Sequence, residues 1–233
     1  MGRAQKLKQQ RKEEQEKLKK EERKQKWRTL LIVSTSILVV AVTVFLIFLV
    51  NYMKEEETER ENEPKVTKEF VLETTKGEIV IGLFGEDTPL AVQHITDLVG
   101  QGFYDNLRWY RVENFVVQTG SHYQSLVAES EGAEPDQAKL EEALAKDGEA
   151  GVLSDDQNML PNVRGAVGMA KQSDPQTQQP IPGSARTDFY ILKTDAPVLD
   201  GDYVIFGKVL EGMEVVDSLE TTDVLVKATI REK

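Results

Sequence analysis

The chain has 233 residues, a net charge of −11, 39% hydrophobic residues and no cysteine. That length allows one or two domains, and without cysteine disulfide scaffolds, thiolate zinc sites and thiol nucleophiles are excluded. Charge is unevenly spread: residues 1–28 hold twelve Lys/Arg against five Glu, a net of +7, which leaves −18 beyond the apolar run that follows. An acidic main body argues against nucleic acid as a partner.

In chain order, residues 1–28 read as a solvated basic tail, partly helical, with Trp27 near its end. Residues 29–50, TLLIVSTSILVVAVTVFLIFLV, carry no charge and no proline. At 1.5 Å rise per residue, roughly 20 apolar residues span a bilayer, so the pattern predicts a transmembrane helix. Basic residues flanking a span stay cytoplasmic, which predicts a cytoplasmic N-terminus and an extracytoplasmic C-terminal domain. Residues 51–66, NYMKEEETERENEPKV, read as a charged linker.

From 67 to 233 the chain reads as a globular domain. Phe70–Thr74 and Ile79–Phe84 predict a hairpin turning at Lys76-Gly77. Thr88-Pro89 predicts a helix capped by Thr88 and ended by Gly100 or Gly102, with Leu90, Ile95, Leu98 and Val99 on its apolar face. Short strands are expected at 107–112, 115–119, 166–170, 189–192, 203–209 and 225–231, with a second helix at Met213–Leu219. An acidic insert occupies 121–160, with ten Asp/Glu against two Lys from Ser121 to Leu160 and a helical pattern from Glu134 to Gly148. The segment Gln172–Ser184, with Pro175, Pro180 and Pro182, reads as an ordered rim. Many short strands with two core helices predict a mainly-β closed antiparallel barrel capped by helices.

The segment most suggestive of chemistry is Phe103–Gly120, FYDNLRWYRVENFVVQTG. It sets Arg111 among aromatic and apolar neighbours with no charged residue adjacent, so its guanidinium is expected to donate hydrogen bonds to a neutral carbonyl or amide. The segment's order of Gly102-Phe103-Tyr104-Asp105, Trp109-Tyr110-Arg111, Phe115 and Gln118 resembles the cyclophilin-type peptidyl-prolyl cis-trans isomerases. So do Thr75–Ile79, Arg164–Ala170 (RGAVGMA), Thr187–Ile191 (TDFYI), Leu199-Asp200-Gly201 and Val204–Val209 (VIFGKV).

The resemblance implies an eight-stranded closed barrel and catalysis of X-Pro rotation on proline-containing polypeptide clients, without metal or cofactor. It places the catalytic group at Arg111, Phe115 and Gln118: Arg111 as donor to the prolyl nitrogen, Phe115 as pocket floor, Gln118 holding Arg111. Val116, Met169, Tyr190 and Leu199 are expected as apolar walls, Ala170 and Lys171 as the edge that pairs substrate backbone, and Tyr110 and Tyr203 as further substrate contacts. Phe115 and Gln118 have opposite parity, so a bulge or twist is needed if both face one site. Relative to the family pattern, Tyr110 replaces histidine, Lys171 asparagine, Asp188 glutamine, Tyr190 phenylalanine, Val198 tryptophan and Tyr203 histidine. The alternative reading is a non-catalytic barrel that holds proline-containing segments. The two histidines, His94 and His122, form neither a metal cluster nor a triad by spacing, and Asp155-Asp156 lack the spaced oxygens of a calcium loop.

Overall fold

The computed structural model describes residues 3–130, 134–154 and 160–233, with side chains undescribed at 3–15, 32, 36–37, 39–40 and 53–62. Asp155-Asp156 thus lie outside the described residues. The chain divides into two compact units, one ending at Glu63 and one running from Pro64 to Lys233.

The first unit is one helix, α1 (Arg3–Asn62), of 60 residues. It contains no Gly or Pro and is dominated by Lys, Glu, Gln, Arg, Leu and Val, and Pro64 enforces its end. The hydroxyls of Thr29 and Thr35 bond back to the carbonyls of Gln25 and Leu31 at 3.0 Å. The described side chains from Leu30 to Val50 are exposed. Among the described residues no helix is long and apolar enough to cross a membrane. The expected 29–50 segment is therefore helical, but its spanning character does not follow from the structure; residues 32, 36–37 and 39–40 within it have no described side chains.

The second unit is an antiparallel sheet of β1 (Lys68–Thr74), β2 (Gly77–Leu83), β3 (Leu107–Arg108), β4 (Arg111–Val112), β5 (Val116–Thr119), β6 (Ala166–Met169), β7 (Phe189–Leu192), β8 (Ile205–Glu211) and β9 (Val224–Glu232). The spatial order is β3-β9-β1-β2-β8-β6-β7-β5-β4. This corrects the expectation of a closed eight-stranded barrel: nine strands are present, and no ladder joins the edges β3 and β4 among the described residues. The cause lies at 109–110. Trp109 is fully buried and its N–H bonds to the Asp223 carbonyl at 3.2 Å, so the predicted single strand breaks. Its first half pairs with β9 and its second with β5.

Helix α2 (Pro89–Gly100) packs Ala91, Val92, Ile95, Leu98 and Val99 into the core. Leu90, expected on that face, is exposed. Thr88 precedes the helix without capping it through its side chain; it is buried and its hydroxyl donates to the Phe84 carbonyl at 3.1 Å. A shorter helix, α5 (Met213–Ser218), buries Val216. The insert forms α3 (His122–Glu129), which the sequence did not suggest, and α4 (Gln137–Glu149). Asp147 of α4 accepts hydrogen bonds from the Ser121 hydroxyl (2.7 Å) and from the N–H groups of His122 (2.8 Å) and Tyr123 (3.1 Å), so it caps α3 and ties the two helices together.

Alternation along the strands makes two apolar clusters. Val117, Val167, Met169, Phe189 and Ile191 enter the main core with Phe70, Leu72, Ile95 and Trp109. Val116, Ala166, Tyr190 and Leu192 point to the other face and form a second cluster with Phe84, Ala196 and Ile205. The candidate site lies on this second cluster.

Candidate active site

A cavity of about 150 Å³ is lined by Arg111, Phe115, Val116, Gln118, Ala170, Lys171, Ser173, Tyr190, Leu199 and Tyr203. It is smaller than the roughly 300–1,000 Å³ of most small-molecule sites, so it suits one small ring rather than a cofactor. Antiparallel pairing builds it: β4 sets Arg111 opposite Gln118, and Gln118 lies opposite Tyr190 on β7.

Phe115 precedes β5 and so escapes the parity conflict. The Glu113 N–H bonds to the Val116 carbonyl at 2.9 Å, closing a tight connection, and the Phe115 carbonyl accepts from the Lys193 N–H at 2.8 Å. Phe115 is 37% exposed while Val116 and Tyr190 are buried. The expectation that Phe115 forms the floor is therefore corrected: buried Val116 and Tyr190 form it, and Phe115 stands at the mouth. The Arg111 guanidinium carbon is 5.7 Å from the centre of the Phe115 ring.

Arg111 is not without a charged partner. Its Nε donates to Glu113 Oε1 at 2.7 Å, and Nη1 donates to Gln118 Oε1 at 3.2 Å. Residues two apart on an extended strand share a face, which brings Glu113 onto the guanidinium. Both side chains are more than 40% exposed, so this ion pair contributes little to stability. Arg111 lines the cavity, and its Nη2 has no protein hydrogen bond among the described residues.

Behind Gln118 the polar contacts continue inward. Gln118 Nε2 donates to the Tyr110 hydroxyl at 2.7 Å, and that hydroxyl donates to Asp188 Oδ1 at 2.5 Å. Burial, then the Asp188 charge, pushes the Tyr110 hydroxyl far above its ordinary value. Burial pushes the Asp188 carboxyl up to about 6; the Tyr110 hydrogen bond opposes that shift and the nearby Asp147 carboxylate adds to it. Near pH 7 Asp188 is mainly a carboxylate.

The opposite wall is fixed in a similar way. The Tyr190 hydroxyl donates to Asn162 Oδ1 at 2.8 Å, and the N–H and Nδ2 of buried Asn162 donate to Asp200 Oδ1 at 2.7 and 3.1 Å. These bonds hold the Asp200 carboxyl below its usual range. Tyr203 meets Tyr190 edge-on at 5.6 Å, and Lys171 Nζ donates to the Asp202 carbonyl at 2.6 Å beside the Tyr203 ring. Ser173 belongs to the proline-bearing rim, which is pinned by Gln172 N–H to Ser184 Oγ at 2.9 Å.

Two expected site residues fall elsewhere. Met169 is fully buried in the main core, because β6 alternation turns it away while Ala170 faces the cavity. Tyr110 does not line the cavity; it stands behind Gln118. Sequence reasoning missed Asn162, Ser173, Glu113 and the role of Asp188; of these only Glu113 carried a readable signal, its two-residue spacing from Arg111. His94 and His122 bond to the carbonyls of Arg186 (2.6 Å) and Phe103 (2.8 Å), away from the cavity. The insert contributes no lining residue among those described.

A family model described as "Cyclophilin type peptidyl-prolyl cis-trans isomerase/CLD" matches residues 69–232. The peptidyl-prolyl cis-trans isomerase CYP23 of Arabidopsis thaliana is 32% identical over 161 residues, covering 68% of this chain and 63% of that protein. The chain thus spans less than two thirds of that relative. A Helicobacter pylori peptidyl-prolyl cis-trans isomerase is 28% identical over 169 residues, covering 71% of this chain and 88% of that protein. In fold, a Cryptosporidium parvum cyclophilin-type isomerase superposes with a TM-score of 0.54 at 20% identity, covering 72% of this chain and 99% of that one. A second structure of that protein was determined in the presence of the dipeptide Ala-Pro, with a TM-score of 0.51 at 20% identity over 71% of this chain and 98% of that one.

Proposed function

The chain belongs to the cyclophilin-type peptidyl-prolyl cis-trans isomerase family, and from that premise we propose that its cavity catalyses rotation about X-Pro bonds in polypeptide clients. The observation that carries this reading is the meeting of a positioned guanidinium with a small apolar slot: Arg111 at the edge, Val116, Phe115, Tyr190 and Leu199 around it.

The chemistry asks little of the protein. Rotation about an X-Pro amide faces a barrier of about 18–20 kcal/mol because of C–N double-bond character. As the bond twists, the prolyl nitrogen regains its lone pair and becomes an acceptor that does not exist in either planar state. A donor placed there stabilises the twisted state selectively. Nη2 of Arg111 is the donor in this scheme. The apolar slot grips the proline ring so that the rest of the chain turns about it. Gln118 fixes Nη1, and Ala170 and Lys171 form the edge beside which substrate backbone lies.

The test is exchange NMR on an X-Pro peptide with the full-length chain and its Arg111→Ala variant. Catalysed exchange that falls on the order of 100-fold in the variant is the expected result. Absence of enhancement by the folded wild-type chain, with retained peptide binding, supports the second reading of a non-catalytic proline-segment binder. The Glu113 contact on Arg111 favours that reading, because it occupies one donor of the guanidinium.

We also propose that residues 29–50 anchor the protein in a membrane, with residues 1–28 cytoplasmic and the 67–233 domain extracytoplasmic, where it assists folding of exported chains. The uncharged run of 22 residues, the basic stretch before it and the exposed apolar side chains from Leu30 to Val50 support this. Protease added to intact cells should digest the 67–233 domain; full protection would sink the topology.

A further inference from the structure

Resting on the isomerase reading, we infer that Asp188 and Tyr110 act as positioning residues that set which way round the Gln118 amide lies, and thereby keep an acceptor rather than a donor against Arg111. The contacts run in one direction: Arg111 Nη1 to Gln118 Oε1 (3.2 Å), Gln118 Nε2 to Tyr110 (2.7 Å), Tyr110 to Asp188 (2.5 Å).

A glutamine amide has two nearly isosteric ends, one accepting and one donating. A phenol hydroxyl has a single proton and can either donate toward Gln118 or accept from it. Gln118 and Tyr110 alone would therefore form a pair of undetermined direction. The donor-only Arg111 guanidinium biases the amide from one end, and the Asp188 carboxylate fixes the direction from the other. An ionised carboxylate only accepts, so the Tyr110 proton must point at Asp188. The hydroxyl then has only a lone pair for Gln118, which must offer its NH₂, and Oε1 turns to Arg111. In the flipped state, NH₂ would face the guanidinium, donor against donor, and push Nη1 out of place.

The groups that bear on Asp188 are few: Tyr110 bonded to it, the Asp147 carboxylate from α4, Tyr104 within electrostatic reach, and Arg111 acting on Tyr110. Protonated Asp188 can donate as well as accept, so the direction of the chain is lost as the carboxyl titrates, which its raised value places near pH 6. Tyr110 and Asp188 occur together as a donor and an acceptor that match one another, and neither lines the cavity.

The experiment compares the full-length isotope-labelled chain in detergent micelles with Asp188→Asn. Asparagine keeps size but is no longer acceptor-only, because its NH₂ can donate to the Tyr110 hydroxyl. Two quantities are read between pH 5 and 7.5: the Gln118 side-chain amide shifts, and catalysed exchange of an X-Pro peptide split into kcat and KM. Expected in wild type is a Gln118 resonance that titrates near pH 6, with kcat falling on the acid side. Expected in Asp188→Asn is a shifted, pH-independent Gln118 resonance and a kcat lowered about tenfold with KM nearly unchanged, because a misaimed donor costs up to ~100-fold. Wild-type kcat and unmoved Gln118 shifts in the variant overturn the inference. If wild type catalyses nothing, the isomerase reading fails by itself. The Gln118 shifts still decide the inference: moved in the variant supports it, unmoved refutes it. Tyr110→Phe, read the same way, serves if Asp188→Asn loses its dispersed spectrum.

Discussion

The barrel interior and the floor of the cavity are made by alternate residues of the same three strands. On β7, Phe189 and Ile191 face inward while Tyr190 and Leu192 face the cavity side; on β6, Val167 and Met169 face inward while Ala166 faces out; on β5, Val117 opposes Val116. The inner set is apolar and packs through Phe70, Tyr104, Trp109 and Phe189, in tilted or edge-on contact at centroid distances of 5.5 to 6.2 Å. The outer set is apolar but tethered by polar bonds at its margin, through Asn162 on one wall and Gln118 on the other. Stability and recognition are thus separated by parity. Truncating an inward side chain should therefore strike stability first, whereas on the cavity side recognition should follow the shape of the floor.

The most damaging test of that separation is Phe189→Ala. It removes a fully buried ring touching three other aromatics, and core Phe→Ala changes cost about 3–5 kcal/mol. A large fall in thermal midpoint is expected; a change in peptide affinity without loss of stability would break the comparison.

Gly168→Ala should act from beneath the floor, at a smaller scale. A Cβ there would sit 2.4 Å from Cζ and the hydroxyl oxygen of Tyr190, whose ring is held against Tyr203. Overpacking of this kind costs about 1–3 kcal/mol, and here it should drive Tyr190 into the cavity. Calorimetry should register a moderate loss, while peptide titration should show binding nearly abolished. Normal binding would mean the floor can yield.

Tyr190→Phe is gentler. It strands Asn162 Oδ1, a buried acceptor, at a cost of about 1 kcal/mol, and keeps the aromatic floor. Peptide affinity should stay close to wild type while the denaturation midpoint drops slightly. A reversed pattern would move the Tyr190 hydroxyl into the recognition step.

How far this was readable from sequence follows the same division. Most elements came from local pattern: hairpin, helices and strands appear near their expected positions because turn residues and apolar spacing are local. Nine of the eleven expected site residues line one cavity, since ordered motifs bring register with them. Met169 was misplaced because parity is known only once the strand's pairing with Phe189 is known. Closure failed at Trp109, where burial of one ring overrode a strand pattern. Asn162 and Asp188 were illegible because their partners stand 28 and 78 residues away in sequence. Glu113, two residues from Arg111, was within reach of simple strand geometry.

The last effect concerns pH and tests whether the tethered wall adds or subtracts stability. Folding raises the Asp188 carboxyl from 3.8 to about 6, chiefly by burial. Between those values the folded chain binds more protons than the unfolded one, so stability is greatest below about pH 4 with respect to this group and declines as pH rises through 6. The site therefore holds a carboxylate near neutrality at some cost to the fold, which fits a residue kept for the direction of its hydrogen bond. Denaturant titrations from pH 4 to 7.5 should show wild type losing stability across this range relative to Asp188→Asn, whose curve lacks that component. If the two curves run parallel, Asp188 carries no strain, and the outer wall is as purely structural as the core behind it.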